Sequence, residues 1–275
     1  MIEILQSILQ GIVQGITEWL PISSTGHILL LDEFWPMNVS PAFFEVFKVL
    51  IQLGSILAVV VLYFQKLNPF SPKKDAAAKR QTWTIWGKVL VASLPAGIAG
   101  LLLDDIIEGA LSTPLVIALA LIIYGVAFLF MERGKKSARI TTLEELDYKT
   151  AFGIGMFQML ALIPGTSRSG STILGASLLG TARTVAAEFS FFMAIPVMAG
   201  ASGFKLLKML KEGLSFTSTE WLLLAIGMVV SFVVSMLVIR FLMSYIRKHD
   251  FKVFGYYRLV LGGIVLLLLA LGILG

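Results

Sequence analysis

Pro21-Ile22-Ser23-Ser24-Thr25-Gly26-His27 and Pro164-Gly165-Thr166-Ser167-Arg168-Ser169-Gly170-Ser171-Thr172 interrupt, near their middles, two apolar regions at about 2–35 and 150–182. A helix that crosses a bilayer takes about 20 mostly apolar residues. Each flank of either break is too short for that. Both regions are therefore expected to be re-entrant hairpins, two short helices that enter the membrane and turn back. Irregular backbone is tolerated at that depth where it is buried in protein or lines a cavity.

The rest of the chain supports a membrane reading. Of 275 residues 57% are hydrophobic and 14% charged, an apolar supply far beyond what one soluble core can hide. Six full-length apolar segments lie at roughly 43–64, 84–103, 113–131, 184–207, 218–243 and 254–274. The fold class expected is an all-α integral membrane protein, six full transmembrane helices plus two re-entrant helix-loop-helix hairpins. The net charge of +5 comes from clustered cations, with no Lys or Arg before Lys48, so it does not describe a nucleic-acid-binding face. Cysteine is absent, which excludes disulfides and thiolate metal sites. The first residues lack the features of a cleaved secretory signal, so the first apolar stretch is expected to stay in the mature protein.

Charge sets a direction. Lys66, Lys73, Lys74, Lys79 and Arg80 lie in one connection, Arg133, Lys135, Lys136, Arg139 and Lys149 in a second, and Arg247, Lys248 and Lys252 in a third. The positive-inside rule makes these three cytoplasmic. Asp104-Asp105-Ile106-Ile107-Glu108 carries no cation and is expected outside, whereas Lys205, Lys208 and Lys211 are discordant. Three crossings between the two broken regions invert one hairpin relative to the other. The halves also resemble each other. Ser24 and Ser167 are 143 positions apart, Glu45 and Glu188 follow them by equal intervals, and Gln14 and Gln158 precede the two prolines. A single membrane domain of 1–275 is expected, with a first half at 1–140 and an inverted second half at 141–275, each a hairpin plus three spans.

Polar residues at membrane depth are costly and default to functional candidates. Gln14 and Glu18 share a helix face by their spacing of four. Pro21 ends that helix, Ser23 and Ser24 are good N-cap types for the next, and Ser24 and His27 are one turn apart. A hydroxyl, an imidazole and a carboxylate converge on one break. The bland alternative has the serines capping, Glu18 bonded to backbone and His27 a satisfied interior residue. The second break is rich in donors. Helix N-termini bind anions, and the Arg168 fork suits phosphate oxygens or else pairs with Glu18, Glu45 or Glu188. The spacing of a P-loop is missing. Glu45 and Glu188 are expected to tie down backbone donors of the hairpins, and Lys48 to pair with Glu45. Gly11 and Gly15 read as helix packing, Tyr256, Tyr257 and Arg258 as an interfacial belt, and 132–149 as a solvated loop.

Gln14-xxx-Glu18, Trp19-Leu20-Pro21-Ile22-Ser23-Ser24-Thr25-Gly26-His27, the 164–172 stretch, Glu188-Phe189-Ser190-Phe191 and Ile195-Pro196 together resemble the bacterial undecaprenyl-diphosphate phosphatases that confer bacitracin resistance. The resemblance covers nearly the whole chain. It implies hydrolysis of undecaprenyl diphosphate to the monophosphate carrier lipid used in peptidoglycan synthesis, at a site in the cytoplasmic (inner) membrane that opens toward the periplasm. It implies a divalent cation, magnesium or calcium, and no organic cofactor. The partners expected are a polyprenyl diphosphate lipid and the bilayer, with no nucleic acid; a homodimer is compatible with the sequence. Ser24, His27, Glu18 and Arg168 are the catalytic candidates. Arg168, Ser167, Thr166, Gly165, Ser169, Thr172 and Thr25 are the phosphate-binding candidates, and Glu18 and Gln14 the metal ligands, although Gln14 cannot supply a second charge. Ser24 is expected to attack phosphorus with His27 as its base; a rival has His27 take the phosphoryl group. A transporter or flippase for the same lipid is the competing class.

Overall fold

The computed structural model describes residues 1–106, 111, 113–133 and 137–274, with positions 104–106 by backbone alone. Among these residues the architecture is helical, without a β-strand, and its β-type pairing is an isolated bridge between Ile140 and Thr181. The helices are α1 (Ile2–Thr17), α2 (Ser24–Phe34), α3 (Pro41–Leu62), α4 (Phe64–Leu67), α5 (Ala76–Ile106), α6 (Pro114–Met131), α7 (Tyr148–Met159), α8 (Arg168–Leu178), α9 (Arg183–Lys211), α10 (Ser218–Ile246) and α11 (Lys252–Ala270). A 3₁₀ turn, Leu160–Leu162, extends α7.

Six of these, α3, α5, α6, α9, α10 and α11, are long and apolar enough to cross a membrane. Several of their starts carry capping chemistry. Ser40 and Thr113 cap α3 and α6 with proline in the first turn, and Thr217 with Glu220 forms a capping box on α10. One segment departs from the expected bounds. The second span was expected from about 84, but α5 begins at Ala76, because Asp75 accepts the Ala78 N–H at 2.7 Å and the alanine run favours helix. The connection after α5, whose acidic run was expected outside, falls largely outside the described residues.

Gly11 and Gly15 pack inside the chain. A Cβ on Gly11 would meet Gly227 O at 2.8 Å, and one on Gly15 would meet Ser231 O at 2.9 Å, so α1 lies against α10 backbone to backbone. The connection 132–149 is less solvated than its charges imply. Leu143 and Leu146 are buried, Lys88 of α5 donates to Leu143 O and Glu144 O, and Ala182 N–H donates to Ile140 O. Lys135 and Lys136 lie outside the described residues. Glu45 and Glu188 do not hold hairpin backbone. Glu45 pairs with Lys48 at 2.7 Å, as expected of Lys48, and Glu188 with Lys66 at 2.9 Å, because each has an ammonium in reach that satisfies it better than a neutral N–H.

Both interrupted regions are helix, break, helix. α1 stops at Thr17 and α2 starts at Ser24; α7 stops at Met159 and α8 starts at Arg168. The two breaks lie against each other above the largest apolar cluster, where Trp19 meets Phe191 edge to face.

Candidate active site

The two non-glycine residues with positive φ among the described residues are Ser23 (77°) and Ser167 (73°), the N-caps of α2 and α8. In each the hydroxyl accepts from the glycine N–H three residues on, Gly26 and Gly170. A left-handed serine costs on the order of 1–3 kcal/mol and persists where the surroundings over-determine it. The backbone thus matches Ser23 with Ser167, one position from the Ser24–Ser167 match read in the sequence. Ser23 does the capping, which frees the Ser24 side chain.

That side chain meets Glu18. The Ser24 hydroxyl donates to Glu18 Oε2 at 2.8 Å, Gln14 Nε2 donates to the same oxygen at 3.0 Å, and Arg168 Nη2 donates to Oε1 at 3.0 Å. The carboxylate is 4% exposed and the guanidinium 10%. Arg168 Nη1 is held by Ser190 O at 2.7 Å, its plane lies over Trp19, and its Nε has no partner. Glu18, Ser24, Thr25, Gly165, Ser167 and Arg168 line one cavity of about 170 Å³, together with Gln52 and Gln158.

The other candidates lie behind that surface. Ser169 donates to Glu18 O at 3.0 Å, Thr172 shares a hydrogen bond of 2.7 Å with Ser190, and the Thr166 carbonyl accepts from Arg258. Ser169 thus ties the second break to the first, Thr172 ties α8 to α9, and Thr166 is held from α11. His27 does not reach Ser24. Its Nδ1–H donates to Ser23 O at 2.6 Å, which leaves Nε2 to accept the Tyr257 hydroxyl at 2.7 Å. Both ring nitrogens are engaged, and the group that receives the Ser24 proton donor is Glu18.

Arg258 was read as interfacial and is not. It is 0% exposed, and it donates to Pro21 O of the first break, to Gly165 O and Thr166 O of the second, and to Ala120 O and Leu121 O of α6. Its depth in the helix was the available signal. It stands six residues into α11, about 9 Å from the end at 1.5 Å per residue. Gln158 is the second omission. It is 2% exposed, borders the cavity, and neither amide atom has a partner.

A divalent cation finds a partial donor set. Glu18 Oε2 and the Ser24 hydroxyl are hard oxygen ligands, and Gln14 Oε1 is buried without a partner. No group of three or more His, Cys, Asp or Glu gathers for a metal among the described residues. Such ions take six or more oxygens, so the residues fit an ion that phosphate oxygens help to hold.

The model of the bacitracin resistance protein BacA family matches residues 7–264. The chain belongs to the BacA family. A relative from Enterococcus faecalis named undecaprenyl-diphosphatase is 58% identical over 274 residues, 98% of each chain. Undecaprenyl-diphosphatase 1 of Clostridioides difficile is 55% identical, covering 97% of this chain and 96% of its own. A relative from Acetivibrio thermocellus with the same activity in its name is also 55% identical, covering 97% and 98%. Family membership and the six apolar helices make this BacA-family chain a multi-pass membrane protein of bacterial type.

Proposed function

We propose that this chain hydrolyses undecaprenyl diphosphate to undecaprenyl phosphate and inorganic phosphate, returning the carrier lipid to peptidoglycan synthesis. The observation that carries it is the bridging of Ser24 and Arg168 by the single buried carboxylate of Glu18. Ser24 Oγ attacks the terminal phosphorus while its proton passes to Glu18 Oε2. The bond from that phosphorus to the bridging oxygen breaks, and its electron pair leaves on undecaprenyl phosphate. Arg168 turns from Glu18 toward the phosphoryl oxygens as charge develops on them. Water then opens the phosphoserine, giving phosphate and restoring the hydroxyl.

Gly165, Ser167 and Thr25 line the cavity and supply phosphate contacts, with the N-termini of α2 and α8 adding backbone donors. Ser169, Thr172 and Thr166 keep the second break in shape. His27 holds the backbone of Ser23. Glu18 and Gln14 are the residues that would hold magnesium or calcium, which when bound neutralises phosphate charge. No organic cofactor enters. The rival with His27 as nucleophile requires Tyr257 to release Nε2 first. A transporter is not favoured, because carriage alone has no use for a hydroxyl seated on a carboxylate.

The two broken regions act as re-entrant hairpins of an inverted repeat, 1–140 and 141–275. Support comes from the paired caps Ser23 and Ser167 and from the buried Gln14 and Gln158 ahead of them. The three cation-rich connections then face the cytoplasm and the cavity opens toward the periplasm. Every group named belongs to one chain, so a homodimer is not needed for the chemistry. The test is phosphate release from undecaprenyl diphosphate in detergent, with intact-mass detection of a phosphoenzyme mapped to Ser24. Full turnover by Ser24→Ala would remove the proposal.

A further inference from the structure

The cavity lining is of two kinds. Glu18, Ser24, Arg168 and Gln158 are polar; Ala96, Ala161, Leu162, Val197, Met198 and Ala201 are apolar. The apolar wall is built from the middle of α5, the 3₁₀ turn and the middle of α9. Its side chains are short where the two long helices meet. Ala201 is exposed, as are the adjoining Gly97 and Gly200, and a Cβ on either glycine would meet nothing within 4 Å. Beside these small residues stand the exposed side chains of Leu94, Ile98 and Phe204, a surface suited to acyl chains.

Size says what the cavity does not hold. Its volume of about 170 Å³ suits a diphosphate head and is far too small for a long polyprenyl chain. The unpartnered Gln158 amide marks the polar part of the lining as the place for a polar ligand, since a buried amide is costly to leave unpaired.

Resting on the function proposed above, we infer that the first isoprene units of the substrate leave the cavity through the gap between α5 and α9, over Ala96 and Ala201, and that the remainder of the chain lies in the bilayer. Apolar walls at the gap take the first units by area burial. Chain length beyond them is read by lipid and not by protein.

The test uses the full-length protein in lipid nanodiscs. A prenyl diphosphate carrying a diazirine on its second isoprene unit is photolysed and the adduct mapped by mass spectrometry. Label on residues 94–101 and 197–204 is expected; label confined to other helices overturns the inference. Kinetics give a second arm. Ala201→Trp and Gly200→Leu are expected to lower kcat/KM for undecaprenyl diphosphate about tenfold relative to that for isopentenyl diphosphate, whose single isoprene unit is too short to pass through the gap into the bilayer. Val233→Trp, lipid-facing on α10, is expected to leave that ratio alone. An unchanged ratio in both gap variants overturns the inference, whereas absence of phosphate release from the wild-type protein with either substrate counts against the underlying activity.

Discussion

Glu18 and Arg168, 150 positions apart in the chain, meet at 3.0 Å in the interior. The contact joins the two broken regions, and the other oxygen of the same carboxylate holds the Ser24 hydroxyl. A buried ion pair is weak evidence for stability, because desolvation offsets most of its attraction. Its position beside the Ser24 hydroxyl, on the wall of a cavity that suits a diphosphate, is what gives it meaning.

Removing the charge from one partner separates chemistry from folding. Glu18→Gln leaves Arg168 buried and unpaired and is expected to destabilise by about 3–5 kcal/mol. Glu18→Gln combined with Arg168→Met is expected to recover most of that loss in thermal melts while phosphate release stays at background. Recovery of both together would make the pair structural.

Ser24→Ala is expected to lower kcat by at least about a thousandfold. Its melting temperature should be close to wild type, since the cap on α2 is Ser23 and not Ser24. Ser23→Ala is expected to behave in the opposite sense. It gives up a cap worth about 1 kcal/mol, and its effect on rate follows from displacement of α2. Melting curves read beside phosphate release distinguish the two.

Arg258 holds five carbonyls, three of them in the breaks. Arg258→Met leaves buried acceptors unpaired and is expected to cost at least about 3 kcal/mol. Arg258→Lys keeps the charge but not the planar fork. It is expected to fold and to lose rate about tenfold or more through kcat with KM little changed. A Lys variant of wild-type kcat would mean that the charge alone matters.

Acid should loosen the connection ahead of α7. Asp147 caps that helix, and the Thr150 N–H holds its carboxyl below the ordinary value of 3.8, with the Thr150 side chain and Lys149 acting in the same direction. A carboxyl whose folded pKa is depressed contributes stability that is present above 3.8 and lost as pH falls through its lower folded value. Asp147→Asn is expected to flatten this part of the profile of melting temperature against pH. An unaltered profile would count against the cap.

Long apolar segments were legible along the sequence, because length and hydropathy are local properties that the bilayer reads directly. The helix breaks were legible for a similar reason, since Pro21, Pro164 and the hydroxyl runs act on the adjacent backbone. What the sequence hid was which side chain faces which. His27 and Ser24 are one turn apart and still do not meet, because the Ser23 carbonyl and Tyr257 of α11 claim both ring nitrogens. Arg258 next to two tyrosines has the pattern of an interfacial residue, and only the approach of both breaks to α11 supplies the carbonyls that bury it.

By itself the sequence determined the helical class, the two interruptions and the residue types able to handle a phosphate. The tertiary structure alone decided that Glu18 serves Ser24 and Arg168 together and that Arg258 pins the breaks. The physical reason is range. Hydropathy and backbone preference act over one turn of chain, whereas a hydrogen bond needs its partners within about 3 Å, a distance that for residues so far apart only packing can set.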